Sequence, residues 1–152
     1  MKFELTKGNH SVGEANYHIQ LTPAYRRRIF EEELTKVLTR DYILAAAKRH
    51  GIEISAIGFG PDHCHIFVAG CKNHSPADVA RLLKGFSSRM MRKHHHRLFW
   101  GKLRAHKFWT AGYFYRTVGA VNAETVKRYV EESQEKHWSD RRQRNLIQFR
   151  LQ

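Results

Sequence analysis

Acidic residues are scarce in this chain. Its 152 residues hold 14 Asp plus Glu against 27 Lys plus Arg, a formal charge of +13, and eleven His add to it as the pH falls. A compact domain with that imbalance points to a polyanionic partner, most often nucleic acid. Cysteine is also scarce. Cys64 and Cys71 are too few for a disulfide framework or a four-cysteine zinc site, so they read as free thiols in a reducing cytoplasm. No run of 18 apolar residues is present, so no membrane span is expected. The opening MKFELTKGNHSVGEA has no apolar segment, so no signal peptide is expected. A basic amphipathic helix without a core to pack on, the mark of a membrane-surface protein, is missing too. There is no internal repeat, linker or P-loop pattern. What remains is one domain over 1–152, with 41% hydrophobic residues to build its core.

Hydrophobic spacing gives the order of elements. Residues 1–14 are polar and read as a loosely held arm. Ala15–Thr22 alternates, with Tyr17, Ile19 and Leu21 on one face, and Pro23 stops the strand. A helical pattern runs from about Ile29 to His50 through Phe30, Leu34, Val37, Leu38 and Ala45, and Gly51 ends it. Ile52–Phe59 alternates, Pro61-Asp62 turns, and a second strand starts at His63, which makes an antiparallel hairpin. Ser75-Pro76-x-Asp78 opens a helix to about His94, with Val79, Leu82, Leu83, Phe86 and Met90 on its apolar face. A basic-aromatic connection over 95–111 leads to a fourth strand, Gly112–Val118. Asn122 caps a last helix bearing Val126, Tyr129 and Val130, and 139–152 is an Arg-rich tail. The expected fold is α+β: a ferredoxin-like or RRM-like split β-α-β-β-α-β antiparallel sheet, helices on one face, and a C-terminal tyrosine-bearing helix.

Three groups of residues carry chemistry. His63 and His65 lie two apart at the start of a strand, so both point to one face and can share a cation, while Cys64 points into the core. An isolated His-x-His pair is as often two solvated histidines; the tight turn and the adjacent Asp62 favour a site. Two imidazoles leave room for a phosphate oxygen and another oxygen ligand, which suits a divalent ion acting on a phosphodiester. Tyr129 sits mid-helix, where a packing role is the plain alternative. A phenol becomes a nucleophile only when positive charge or metal meets its oxyanion. The third group is basic. Arg26, Arg27 and Arg28 form one run; Arg81, Lys84 and Arg92 share a helix face. Lys102, Arg104 and Lys107 sit among Phe99, Trp100, Phe108 and Trp109, a mixture suited to unpaired bases and their phosphates. His94-His95-His96 reads as solvated base rather than a metal tract, because consecutive residues diverge.

These residues also carry a resemblance. Asp62-His63-Cys64-His65-Ile66-Phe67 matches the HUH motif. Gly112–Gly119 followed by Glu124–Glu131 resembles the last strand and tyrosine helix of the single-tyrosine HUH transposases, the TnpA proteins of the IS two-hundred / IS six-hundred-and-five type. Tyr17–Arg27 is similar to that family's first strand and turn, and the likeness spans roughly residues 8 to 140. The resemblance implies that Tyr129 attacks single-stranded DNA to leave a 5′-phosphotyrosine and a free 3′-OH. It implies that His63 and His65 hold Mg²⁺ or Mn²⁺ at the scissile phosphate, and that the protein recognises DNA hairpins at element ends. It also implies an obligate homodimer with sheets joined edge to edge, histidines and tyrosine coming from different subunits, and Gly119-Ala120 as the hinge. The family completes the metal site with a Gln one turn past the tyrosine. Here position +4 is Ser133 and Gln134 stands at +5, about 140° round a regular helix from Tyr129. Gln134 fits if the helix is irregular there; Ser133 and Glu132 are the alternatives. Two other classes stay open: a non-catalytic hairpin binder with an impaired site, and an RRM-like RNA module, which needs aromatics where His63 and His65 stand.

Overall fold

The computed structural model describes residues 6–7, 12–13, 15–103, 107–119, 125, 128, 131 and 132. Its elements are β1 (Thr6–Lys7), β2 (Val12–Gly13), β3 (Tyr17–Leu21), α1 (Glu33–Arg49), β4 (Glu53–Gly60), β5 (His63–Ala69), α2 (Pro76–His95) and β6 (Phe114–Thr117). β1 and β2 pair with each other inside the stretch expected to be an arm. The main sheet has the order β4-β5-β3-β6, every neighbour antiparallel. With α1 and α2 inserted between strands, this is the expected split β-α-β-β-α-β. No helix among the described residues is long and apolar enough to cross a membrane.

Period-2 patterning sorts the two faces of the sheet. Ile19, Leu21, Phe59, Cys64, Ile66 and Val68 are buried together with Ile43, Ala46 and Ala47 of α1 and Val79, Leu83 and Met91 of α2. The alternation proposed for residues 52–59 fails at one point. The β4–β5 register shifts between Ile54 and Ala56, so Ser55 is a bulge residue. Without it, Ile54 would share a face with Ala56, Gly58 and Gly60. The bulge returns Ile54 to the helix side and leaves those three small residues on the other.

The first helix also starts later than its apolar spacing suggested. Ile29–Glu31 is a 3-10 turn that buries Ile29 and Phe30, Glu32 is extended, and α1 begins at Glu33. Gly51 ends it at φ +67, a conformation natural to glycine. Ala45 is exposed; its place in the core is taken by Ile43, Ala46 and Ala47. The same helix buries an ion pair, Lys36 Nζ to Glu33 Oε2 at 2.8 Å. Removing one partner leaves an uncompensated buried charge, so Lys36→Met is expected to cost about 3–5 kcal/mol in chemical denaturation.

In α2 the cap forms as expected, with Asp78 N–H donating to Ser75 Oγ at 3.1 Å and Pro76 in the first turn. Its buried line is Val79, Ala80, Leu83, Ser87 and Met91, with Leu82, Phe86 and Met90 half-buried beside it. Ser87 is tolerated in the core because its Oγ donates to Leu83 O (2.6 Å) and accepts from Trp109 Nε1 (2.9 Å). Trp109 is thus a core residue. So are Phe99 and Phe108; of the aromatics proposed to meet bases in the connection, only Trp100 is exposed, at 62%. Beyond β6, Thr125, Arg128, Glu131 and Glu132 are α-helical.

Candidate active site

The face of the sheet away from α1 and α2 holds the histidines, next to a small buried cluster of Ala56, Phe67, Ala69 and Val118. His63 and His65 start β5, and Cys64 between them is fully buried on the opposite face. Across the ladder His63 pairs with Gly60 and His65 with Gly58 on one side, and His65 pairs with Gln20 on the other. Gly60 is a spatial requirement. A Cβ there would lie 2.2 Å from His63 Cε1 and 2.5 Å from its Nε2, so the ring occupies the place of the missing side chain. The unbroken register from the Pro61-Asp62 turn places Gly58 and Gly60 directly opposite the imidazoles.

Each imidazole is held through Nδ1. His63 Nδ1 donates to Asp62 Oδ1 at 2.9 Å, and Asp62 is itself 3.7 Å from the Arg26 guanidinium. The bond to His63, with help from the charge of His63 and Arg26, lowers the Asp62 carboxyl below its usual range. His65 Nδ1 shares a 3.0 Å hydrogen bond with His18 Nε2. The rings of His63 and His65 lie 4.7 Å apart, edge to face. Burial, then the neighbouring His63 and His18, push His65 down to about 4; burial, then Arg116, lower His18. Both shifts favour the neutral ring, the state a metal ligand needs.

This donor set fits a divalent ion as half of a site. Fixing a ligand histidine through one nitrogen and presenting the other is the usual second-sphere arrangement, and here Nε2 of each ring is the atom that would meet a cation. No three His, Cys, Asp or Glu groups gather to hold a metal among the described residues. Tyr129, Ser133 and Gln134 lie outside the described residues; Glu132 is helical and exposed.

The proposed basic residues divide by location. Arg26, Arg27 and Arg28 are exposed beside the Pro61-Asp62 turn, near the histidines, with Arg28 paired to Glu31. The backbone there is unusual: Tyr25 and Arg26 both have positive φ (58 and 51), and Tyr25 is 74% exposed. Two consecutive bulky residues in the left-handed region are strained, and with no Gly or Asn there the sequence offered no signal for it. Arg81, Lys84 and Arg92 belong to α2, across the sheet from the histidines. Arg81 is exposed and pairs with Asp78. Lys84 Nζ donates to Ala111 O and Gly112 O at 3.0 and 3.1 Å, a clamp on the approach to β6. Lys107 is exposed and Arg104 lies outside the described residues. On β6, Phe114 pairs in register with Gln20 and Arg116 with His18, so both stand on the histidine face. Phe114 is 50% exposed and the Arg116 guanidinium lies 5.9 Å from its ring centroid.

Residues 11–133 match the family model described as "Transposase IS200 like". The chain is similar to the ISDra2 transposase TnpA of Deinococcus radiodurans, 26% identical over 139 residues, covering 90% of this chain and 96% of that protein. It also resembles the crystal structure of a putative transposase from Deinococcus radiodurans R1, with a TM-score of 0.65 and 25% identity over 84% of this chain and 97% of that one. A REP-associated tyrosine transposase bound to a REP hairpin shares the fold, with a TM-score of 0.56 and 12% identity over 87% of this chain and 74% of the other. With four-fifths of its length matched and the histidine pair placed at the start of β5, the chain belongs to the IS200-like transposase family.

Proposed function

We propose that this transposase cuts and rejoins single-stranded DNA at the hairpin-marked ends of an insertion sequence, with Tyr129 as nucleophile. The observation that carries the proposal is the pair of imidazoles, each anchored at Nδ1, on the sheet face away from α1 and α2 and flanked by Arg26, Phe114 and Arg116. Tyr129 Oη attacks the phosphorus and gives up its proton; the P–O3′ bond breaks, and the departing O3′ takes a proton. The product is a 5′-phosphotyrosine whose bond energy is kept for the reverse attack by a second 3′-OH, so no nucleotide hydrolysis is required. His63 and His65, with an oxygen ligand from Gln134, Ser133 or Glu132, would hold Mg²⁺ or Mn²⁺, which when bound supplies positive charge at the scissile phosphate.

The remaining surface supports this substrate. Phe114 offers a face for an unpaired base, with the Arg116 cation beside it and His63 and His65 two strands further in. Exposed Arg81 and the α2 basic face, together with Arg26–Arg28 and Lys107, suit a phosphate backbone. One structural neighbour is bound to a hairpin. β6 ends the sheet among the described residues and all four of its residues are exposed, an open edge suited to a second copy's sheet. In such a homodimer, Tyr129 of one subunit serves the histidines of the other across Gly119-Ala120.

One observation favours a second function, a hairpin-binding protein that does not cut: Gln134 stands at +5 from Tyr129 rather than one helical turn away. Denaturing gels separate the two. With single-stranded DNA carrying the element's end and Mg²⁺ or Mn²⁺, the transposase forms a covalent protein–DNA adduct that chelator prevents. Tight binding to that DNA with no adduct under any divalent ion supports the hairpin binder.

A further inference from the structure

His18 lies outside the His-x-His motif, on the neighbouring strand β3. It comes to His65 because β3 pairs with β5 so that Gln20 faces His65 and His18 faces Phe67. Residues two apart on a strand share a face, so His18 stands diagonal to His65 on the side of the sheet away from the helices. The rings stack at 5.1 Å between centroids, with interplanar angle 28°, and His18 Nε2 is 3.0 Å from His65 Nδ1.

We propose that His18 is a positioning residue for the metal site: it accepts the Nδ1–H of His65 and so fixes the tautomer in which His65 offers its Nε2 lone pair to a divalent cation. The inference rests on the metal assignment made above and extends it to a residue that never touches the ion. A neutral imidazole carries one proton, so the direction of this hydrogen bond decides which nitrogen of His65 can be a ligand. If His65 donates from Nδ1, Nε2 is a ligand. If His18 donates instead, the proton of His65 sits on Nε2 and that atom is closed to a metal. His63 has no such ambiguity, because Asp62 only accepts and thereby keeps the His63 proton on Nδ1. The two ligands thus have different orienting partners, a carboxylate for His63 and an imidazole for His65. The second partner carries no formal negative charge, so the site gains orientation without a further anion beside a DNA phosphate.

Two measurements test this without relying on DNA cleavage. The first is ring ¹⁵N NMR of the metal-free protein, which reports the protonated nitrogen of His65. Wild type is expected to show the proton on Nδ1, and His18→Ala a mixture of tautomers. The second is Mn²⁺ affinity, read from the EPR signal of free Mn²⁺, with circular dichroism confirming the fold of each variant. His18→Ala is expected to weaken binding about 10–100-fold, the usual effect of losing a second-sphere partner. His18→Gln, whose Oε1 still accepts, is expected to recover most of the loss. A His63→Ala/His65→Ala double variant is expected to lose the site altogether. Mn²⁺ binding by His18→Ala as tight as wild type, while the double variant loses it, overturns the role of His18 and leaves the metal site standing. A proton on Nε2 of His65 in wild type also overturns it. Equal binding by wild type and the double variant removes the metal site, and the proposal with it.

Discussion

Tyr129→Phe is expected to abolish covalent capture of DNA and leave DNA binding unchanged. The substitution removes one oxygen and nothing that packs, so the fold is preserved while the nucleophile is gone. Loss of a nucleophile typically lowers turnover by about 10⁴-fold or more, which places adduct formation below detection in a gel assay. The same variant examines the proposed division of labour between subunits. Mixed with a His63→Ala/His65→Ala variant, it forms heterodimers in which one subunit has intact histidines and the other an intact tyrosine. If the two halves come from different subunits, each heterodimer holds one complete site, and an equal mixture recovers about a quarter of wild-type adduct. If both halves come from one subunit, the mixture stays inactive.

Gly60→Ala is expected to have the next largest effect, although position 60 carries no side chain and lies outside the motif. The added methyl would sit 2.2, 2.5 and 2.8 Å from Cε1, Nε2 and Nδ1 of His63. An imidazole has no flexible end to yield, and this one is tied to Asp62. The ring must swing away, giving up its bond to Asp62 and its edge-to-face contact with His65. Disturbing the orientation of a ligand by this route is expected to weaken Mn²⁺ binding and adduct formation about 10–100-fold. Global stability should change little, because Ala is no worse than Gly in a strand. A thermal melt near wild type with impaired Mn²⁺ binding bears out the geometric role of Gly60. Full Mn²⁺ affinity in Gly60→Ala shows that the His63 ring does not need that space.

Much of this was legible in the residues. The alternation of residues 15–22 marked β3, the Pro61-Asp62 turn marked the start of β5, the Ser75-Pro76 cap marked α2, and the Gly60–Phe67 stretch marked the histidine pair. These signals are local, which is why they survive folding. What was not legible depends on partners far away in sequence. His18 is 47 positions from His65, and no spacing within either strand reveals that the two meet. The bulge at Ser55 is set by pairing with β5, and a strict alternation placed Ile54 on the wrong face. Phe108 and Trp109 read as base-stacking aromatics because cations flank them; tertiary packing claims both, and Ser87 in the middle of α2 supplies the acceptor that lets Trp109 be buried. Lys84 likewise shared a helix face with Arg81, yet its ammonium clamps the main chain before β6.

The histidine pair on β5 and Tyr129 are proposed to be the two halves of one DNA-cutting site. The most direct measurement is tandem mass spectrometry of the protein after reaction with the element's single-stranded end and Mn²⁺, followed by nuclease digestion. A nucleotide 5′-phosphate is expected on Tyr129, absent when chelator is added and absent from the His63→Ala/His65→Ala variant. A modification on another tyrosine, such as the exposed and strained Tyr25 beside the Asp62 turn, would contradict it, as would an adduct on Tyr129 that forms equally well without the histidines.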